Sequence, residues 1–310
     1  MFGHNEIVGK SYFKNEPAGT LVVTSIFYTL QGEGPYSGMP CVFVRLSKCN
    51  LACSFCDTQF DIGQRMTFDE LRGKIYSAIC DHWGSKEVSV PLWVLPDNIP
   101  RRREDEKLLG PYGLGLVITG GEPTLQANLK DFLEYVADDF KWIQIESNGI
   151  VSLELGDHVT RVVSPKCAEK EGRATQYLKP SQFMLDNADC LKFVMCAPIL
   201  KDPNTSVDSA PSPYEEVPDW AHEWAAKTGK PVYVSPMNVY KSVPQKMKMF
   251  LSKKDKTIEE RSTVDEVVSF WEPGVLDMEA NRRNHEHAAR YAITHGFRFQ
   301  VQAHLYAGLA

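Results

Sequence analysis

No stretch of this chain approaches the roughly 18 consecutive apolar residues that would cross a bilayer. The opening MFGHNEIVGKSYFKNEP also lacks the apolar core of a secretory signal. No membrane partner is expected, and the chain is expected in the cytoplasm. Positive charge is not in excess either: 34 Lys and Arg stand against 40 Asp and Glu, a formal net charge of -6, which argues against a broad nucleic-acid surface. There is no repeat of fixed period and no low-complexity tract, and near-average apolar and charged content argues against collagen-like and wholly disordered chains. What is present is an ordinary globular composition, 43% apolar and 24% charged, in 310 residues, enough for one large domain or two small ones.

Apolar, β-branched runs that read as buried strands fall at residues 21–28, 41–47, 115–119, 142–146, 159–163, 190–195, 231–235 and 297–302. Helical patterns lie between several of them. One spans about 67–83, where Thr67 and Glu70 form a capping box ahead of Leu71, Ile75 and Ile79. Others span about 124–137 and 277–295, the last closed by Gly296. Strands alternating with helices predict an α/β domain with a mainly parallel sheet or barrel. Two stretches break the rhythm, 84–112 with its prolines and the run Arg101, Arg102, Arg103, and 239–276, rich in lysine and glutamate. Both read as insertions within a single domain over 1–310, either solvated loops or an added surface helix, or else a lid or partner-docking segment.

Eight cysteines are not spread as a disulfide framework would be; Cys49, Cys53 and Cys56 crowd into one loop, CNLACSFCDTQF, directly after a predicted strand. Three thiolates at C-x3-C-x2-C can hold three corners of a cubane iron–sulfur cluster, leaving one iron open to an outside ligand. A zinc site completed by a distant residue is the other reading, although zinc motifs usually supply paired C-x2-C units. Cys41, Cys80, Cys167, Cys190 and Cys196 sit mostly in apolar settings and read as small buried hydrophobes. TGGEP at 119–123 ends another predicted strand; its glycines let a ligand approach the backbone, and Glu122 offers a carboxylate to an ammonium.

With Phe55 just before its last cysteine, the loop resembles the radical S-adenosylmethionine (SAM) superfamily, and TGGEP looks like that superfamily's methionine-binding GGE motif. The wider stretch FYTLQGEGPYSGMPCVFVRLSKCNLACSFCDT is similar to the 7-carboxy-7-deazaguanine synthase family, and ESNG, SPK, LKFV, VSPMN and VQAHLYAGLA follow in family-like order. The resemblance implies a partial (β/α) barrel of the radical SAM type with inserted segments. It also implies a [4Fe–4S] cluster on Cys49, Cys53 and Cys56, and Mg²⁺ on Thr58. SAM would meet Gly121, Glu122, Glu146, Ser147, Asn148, Ser164, Pro165 and Lys166. A pterin substrate would meet Leu30, Gln31, Gly32, Glu33, Arg45 and Thr119, with Gln302, His304 and Ala310 reaching it from the chain end.

The activity implied is a lyase reaction in queuosine and 7-deazapurine biosynthesis, which contracts the ring of 6-carboxy-5,6,7,8-tetrahydropterin and releases ammonia. A flavodoxin or ferredoxin reductant and a homodimer are implied with it. Two other readings stay open on the sequence: an activase for an anaerobic ribonucleotide reductase, which gives no reason for QGEG and CDT, and a scaffold that binds a regulatory partner through the insertions.

Overall fold

The computed structural model describes residues 6–56, 58–82, 114–198, 211–242, 245–251, 266–272 and 275–306. The long β1 (Thr20–Leu30) pairs antiparallel with β2 (Pro40–Leu46) on one side and with the short β3 (Gln64–Thr67) on the other. α1 (Phe68–His82) begins at the anticipated capping box: the Thr67 hydroxyl accepts from the Glu70 amide at 3.2 Å, and the Glu70 carboxylate accepts from the Thr67 amide at 2.8 Å. Leu71, Ile75 and Ile79, four residues apart, are all buried against the sheet.

The chain then alternates through β4 (Gly115–Gly120), α2 (Leu129–Tyr135), β5 (Trp142–Ser147) and β6 (Val159–Val163). After the hairpin β7 (Cys167–Lys170) and β8 (Arg173–Tyr177) come α3 (Gln182–Asn187), β9 (Cys190–Met195), α4 (Asp219–Thr228) and β10 (Val232–Pro236). Four further strands, β11 (Tyr240–Ser242), β12 (Gln245–Leu251), β13 (Glu266–Glu272) and β14 (Val275–Leu276), precede α5 (Met278–His295), β15 (Arg298–Phe299) and the short α6 (Ala303–Tyr306).

Among the described residues nine strands form one sheet in the order β15-β10-β9-β6-β5-β4-β2-β1-β3. Every pairing from β15 to β2 is parallel. On the parallel strands the face under the helices is apolar, while polar side chains such as Arg45, Glu146 and Lys192 alternate onto the other face. Leu46, Leu116, Ile118 and Ile143 pack with Leu71, Ile75 and Phe132 of α1 and α2; Leu191, Phe193 and Val234 pack with Leu185, Ala221, Trp224, Ala288 and Ala292 of α3, α4 and α5.

The sheet is curled. Six strand spacings separate β1 from β10, about 29 Å in a flat sheet. Yet Ser235 of β10 donates to Glu33, just beyond β1, at 2.9 Å, and Gly34 donates to Gln300 at 2.6 Å. Only an open barrel brings those groups together, as the expected partial (β/α) barrel requires.

Three expectations need correction. The helix expected over 124–137 is split into a 3-10 turn (Pro123–Leu125), α2 and a second 3-10 turn (Ala137–Asp139), because the Gln126 side chain exchanges two 2.8 Å hydrogen bonds with the Val22 backbone and holds its own backbone extended. The strand expected at 297–302 shrinks to Arg298–Phe299, since Gln300 to Gln302 turn inward. In 239–276 the described residues form antiparallel pairs, β11 with β14 and β12 with β13, in place of loops or a surface helix; QKMKMFL and EVVSFWE carry the aromatic and β-branched residues that suit strands. The segment 84–112 lies outside the described residues. No helix among the described residues is long and apolar enough to cross a membrane.

Candidate active site

Because β2, β4, β5 and β6 run parallel and adjacent, the loops at their C-terminal ends share one rim. The cysteine loop follows β2, GGEP follows β4, ESNG closes β5 and SPK follows β6. This is where barrel enzymes build their sites. Lys48, in the left-handed region with φ 68°, turns the chain out of β2, and its amide donates to Phe60 across the loop at 2.8 Å. Gly121 donates to Leu46 and Glu122 to Lys48, both at 2.8 Å. A Cβ on Gly121 would stand 1.7 Å from the Lys48 carbonyl oxygen, so the glycine is required by close approach of the two loops.

Cys49, Cys53 and Cys56 line one cleft and none forms a disulfide. Burial, with Glu122 nearby, pushes the Cys49 thiol up to about 12, and burial pushes Cys53 up to about 11. Thiols in such a setting ionise only against a bound cationic centre. Among the described residues no group of three or more His, Cys, Asp or Glu is drawn together around the position of a single metal ion. The thiolates of a cubane stand at separate irons and are spread more widely than the ligands of one zinc. Three thiols on one loop beside an open cleft fit a site-differentiated cluster.

Glu122, 1% exposed, is the hub of the next layer. One carboxylate oxygen accepts from the Thr124 hydroxyl at 2.6 Å, the Thr124 amide at 3.0 Å and Ser147 at 2.8 Å; the other accepts from the Asn148 amide at 2.7 Å. Burial pushes its carboxyl above the usual range against those donors. Asn148 also donates to Asn50 at 2.8 Å, tying β5 to the cysteine loop. Lys166 donates to the Ser164 carbonyl at 2.7 Å and hydroxyl at 2.6 Å; desolvation and the like charge of Lys192 push its ammonium below the ordinary value.

Opposite lie Gln31, Glu33, Arg45, Thr119, Asn238 and Gln302. The Arg45 guanidinium stands 4.8 Å over the Phe27 ring, and Phe27 stacks on Phe43 at 5.3 Å, so the flat face of the guanidinium is held. Burial opposes charge on Glu33, but Lys192 at 2.6 Å, Ser235 and Gln302 outweigh it and hold the carboxyl below the ordinary range. The cleft opens to solvent at its mouth, and about 1280 Å³ there, open solvent included, is free of atoms.

Among curated proteins, the 7-carboxy-7-deazaguanine synthase of Rickettsia prowazekii is 31% identical over 201 residues, 65% of this chain and 71% of its own length. The enzyme of the same name from Rhodospirillum rubrum is 31% identical over 240 residues, 76% of this chain and 82% of its own. This chain belongs to the 7-carboxy-7-deazaguanine synthase family. The crystal structure of QueE from Escherichia coli aligns with 95% of this chain and 98% of its own at 18% identity and a TM-score of 0.47. No family model matches the chain.

Of the residues that the resemblance to the 7-carboxy-7-deazaguanine synthase family singles out, the three cysteines, Thr58, Thr119, Gly121, Glu122, Glu146, Ser147, Asn148, Ser164, Lys166, Gln31, Glu33, Arg45 and Gln302 line the cleft. Leu30, Gly32 and Pro165 do not; Gly32 and Pro165 are buried in the backbone turns that aim their neighbours. The side chain of His304 and all of Ala310 lie outside the described residues. Lys192 also lines the cleft and was not among the expected residues, although a lone lysine in the apolar strand CLKFVM is a signal that a buried partner awaits it.

Proposed function

We propose that this chain is a radical SAM carbon–nitrogen lyase that converts 6-carboxy-5,6,7,8-tetrahydropterin to 7-carboxy-7-deazaguanine and ammonia, in queuosine or other 7-deazapurine biosynthesis. The observation that carries the reading is the convergence on one cleft of three loop thiols, the buried Glu122 carboxylate and a polar wall that includes Gln31, Glu33, Arg45 and Gln302. Cys49, Cys53 and Cys56 would hold a [4Fe–4S] cluster, which when bound supplies the electron that divides SAM into methionine and a 5′-deoxyadenosyl radical.

The protein's own work is binding and alignment. Gly121 and Glu122 receive the methionine end of SAM, the carboxylate meeting its ammonium. Glu146, Ser147, Asn148, Ser164 and Lys166 line the path of the rest of SAM. Gln31, Glu33, Thr119 and Gln302 face the pterin, and Arg45, flattened on Phe27, takes its carboxylate. Thr58, 8% exposed beside the cysteine loop, would give Mg²⁺ an oxygen ligand. Held by these contacts, C6 would lie close to the deoxyadenosyl carbon and away from quenching side chains.

The proposal includes a single domain over 1–310 with insertions at 84–112 and 239–276, a homodimer, a flavodoxin or ferredoxin reductant and a cytoplasmic setting. The test is mass spectrometry of an anaerobic reaction with reconstituted protein, SAM, Mg²⁺, reductant and the tetrahydropterin. Product from the unaltered protein and none from Cys53→Ala is expected; 5′-deoxyadenosine without 7-carboxy-7-deazaguanine would discard the substrate.

A further inference from the structure

Lys192 has no task in the reaction proposed above, yet it is a buried charge in the cleft held by two carboxylates. It lies mid-way along β9 between Leu191 and Phe193, both fully buried in the helix-facing core, so strand alternation turns its own side chain to the inside of the barrel. It is 5% exposed. Its ammonium donates to Glu33 at 2.6 Å and to Glu146 at 2.7 Å, one oxygen of each carboxylate. The second oxygen of Glu33 accepts from Ser235, and that of Glu146 accepts from Gln31 and Gln144, each at 3.1 Å. One ammonium thus joins the end of β1, the end of β5 and the middle of β9.

Burying three charges is not an economical way to fill a barrel, since apolar residues of the same volume usually serve stability as well or better. The two carboxylates also belong to different ligands in the proposed reaction, Glu33 to the pterin wall and Glu146 to the SAM side of the cleft. We propose that Lys192 is a positioning residue that couples the two subsites, setting the pterin against the SAM ribose so that the hydrogen to be abstracted lies in line with the deoxyadenosyl carbon. This inference rests on the proposed function. It is distinct from a role in stability alone, because misalignment by a fraction of an ångström leaves SAM cleavage possible while the transfer to substrate fails.

The test compares Lys192→Met and Lys192→Arg with the unaltered, cluster-loaded protein, reading 5′-deoxyadenosine released per 7-carboxy-7-deazaguanine formed. Lys192→Met is expected to raise that ratio about tenfold or more. Lys192→Arg, which keeps the charge and guards against a variant that does not fold, is expected to raise it to an intermediate value. Binding of the fluorescent 6-carboxypterin to cluster-free protein supplies a readout apart from activity, and is expected to weaken about tenfold in Lys192→Met through release of Glu33. A ratio and a pterin affinity unchanged in a folded variant, with only the melting temperature lowered, would overturn the coupling and leave the reaction standing. Absence of product from the unaltered protein would overturn the reaction and the coupling with it.

Discussion

At the scale of single residues, the site depends on how closely two loops can approach. Gly121 lies against the Lys48 carbonyl, and Lys48 is the residue that turns Cys49 over the strand ends. In Gly121→Ala the methyl group has backbone on its other side, which cannot swing away as a side chain would. The loops must part, at a cost of about 1–3 kcal/mol. The expected result is a folded protein with a lowered melting temperature that retains less iron per chain after reconstitution, read by thermal denaturation and iron analysis. The glycines were legible in the sequence as a place for close approach. That the approaching group is the backbone ahead of the first cysteine was not, because separation along the chain says nothing of distance in space. Only the folded register of β2 against β4 brings Lys48 to Gly121 and Glu122.

At the scale of elements, the segment before β1 acts as a strap over the cysteine loop. Val8 donates to the Cys49 carbonyl at 2.9 Å, Lys48 pairs with Glu6 at 2.8 Å, and Phe13, 3% exposed, packs with Val8 and Leu125. Phe13→Ala removes the strap's apolar anchor, and we expect it to cost about 3 kcal/mol. The bound cluster should then bleach faster in air than in the unaltered protein, measured by the decay of its visible absorbance. A rate equal to that of the unaltered protein would show that the strap does not shield the loop. Nothing in the opening residues announces this role, since they carry no helical or strand periodicity and their partners are distant in sequence. The capping box of α1 was legible for the opposite reason: Thr67 and Glu70 are three residues apart and meet within one turn.

At the scale of the whole molecule, the barrel core and the β-ribbon of the second insertion are separable in design. Ser242 and Val275 are cross-strand partners in the β11–β14 pair. A two-residue Asn-Gly turn can therefore join them without disturbing the strands that lead back to the core. We expect the spliced protein to melt at a temperature close to that of the full chain and to keep forming product. Loss of product with the fold intact, read by mass spectrometry and circular dichroism, would place the ribbon in the reaction.

Adjacent residues encode the C-x3-C-x2-C loop, the GGE turn, the strand and helix alternation, and the family to which they point. Their physics is local, set by spacing within a loop and by apolar periodicity within an element. It is folding that brings Glu33, Glu146 and Lys192 into one set of hydrogen bonds, across separations of 159 and 46 residues from the lysine. Their meeting depends on the parallel register of the sheet and on its curl, and those are sums over many packing contacts that no short stretch of sequence contains.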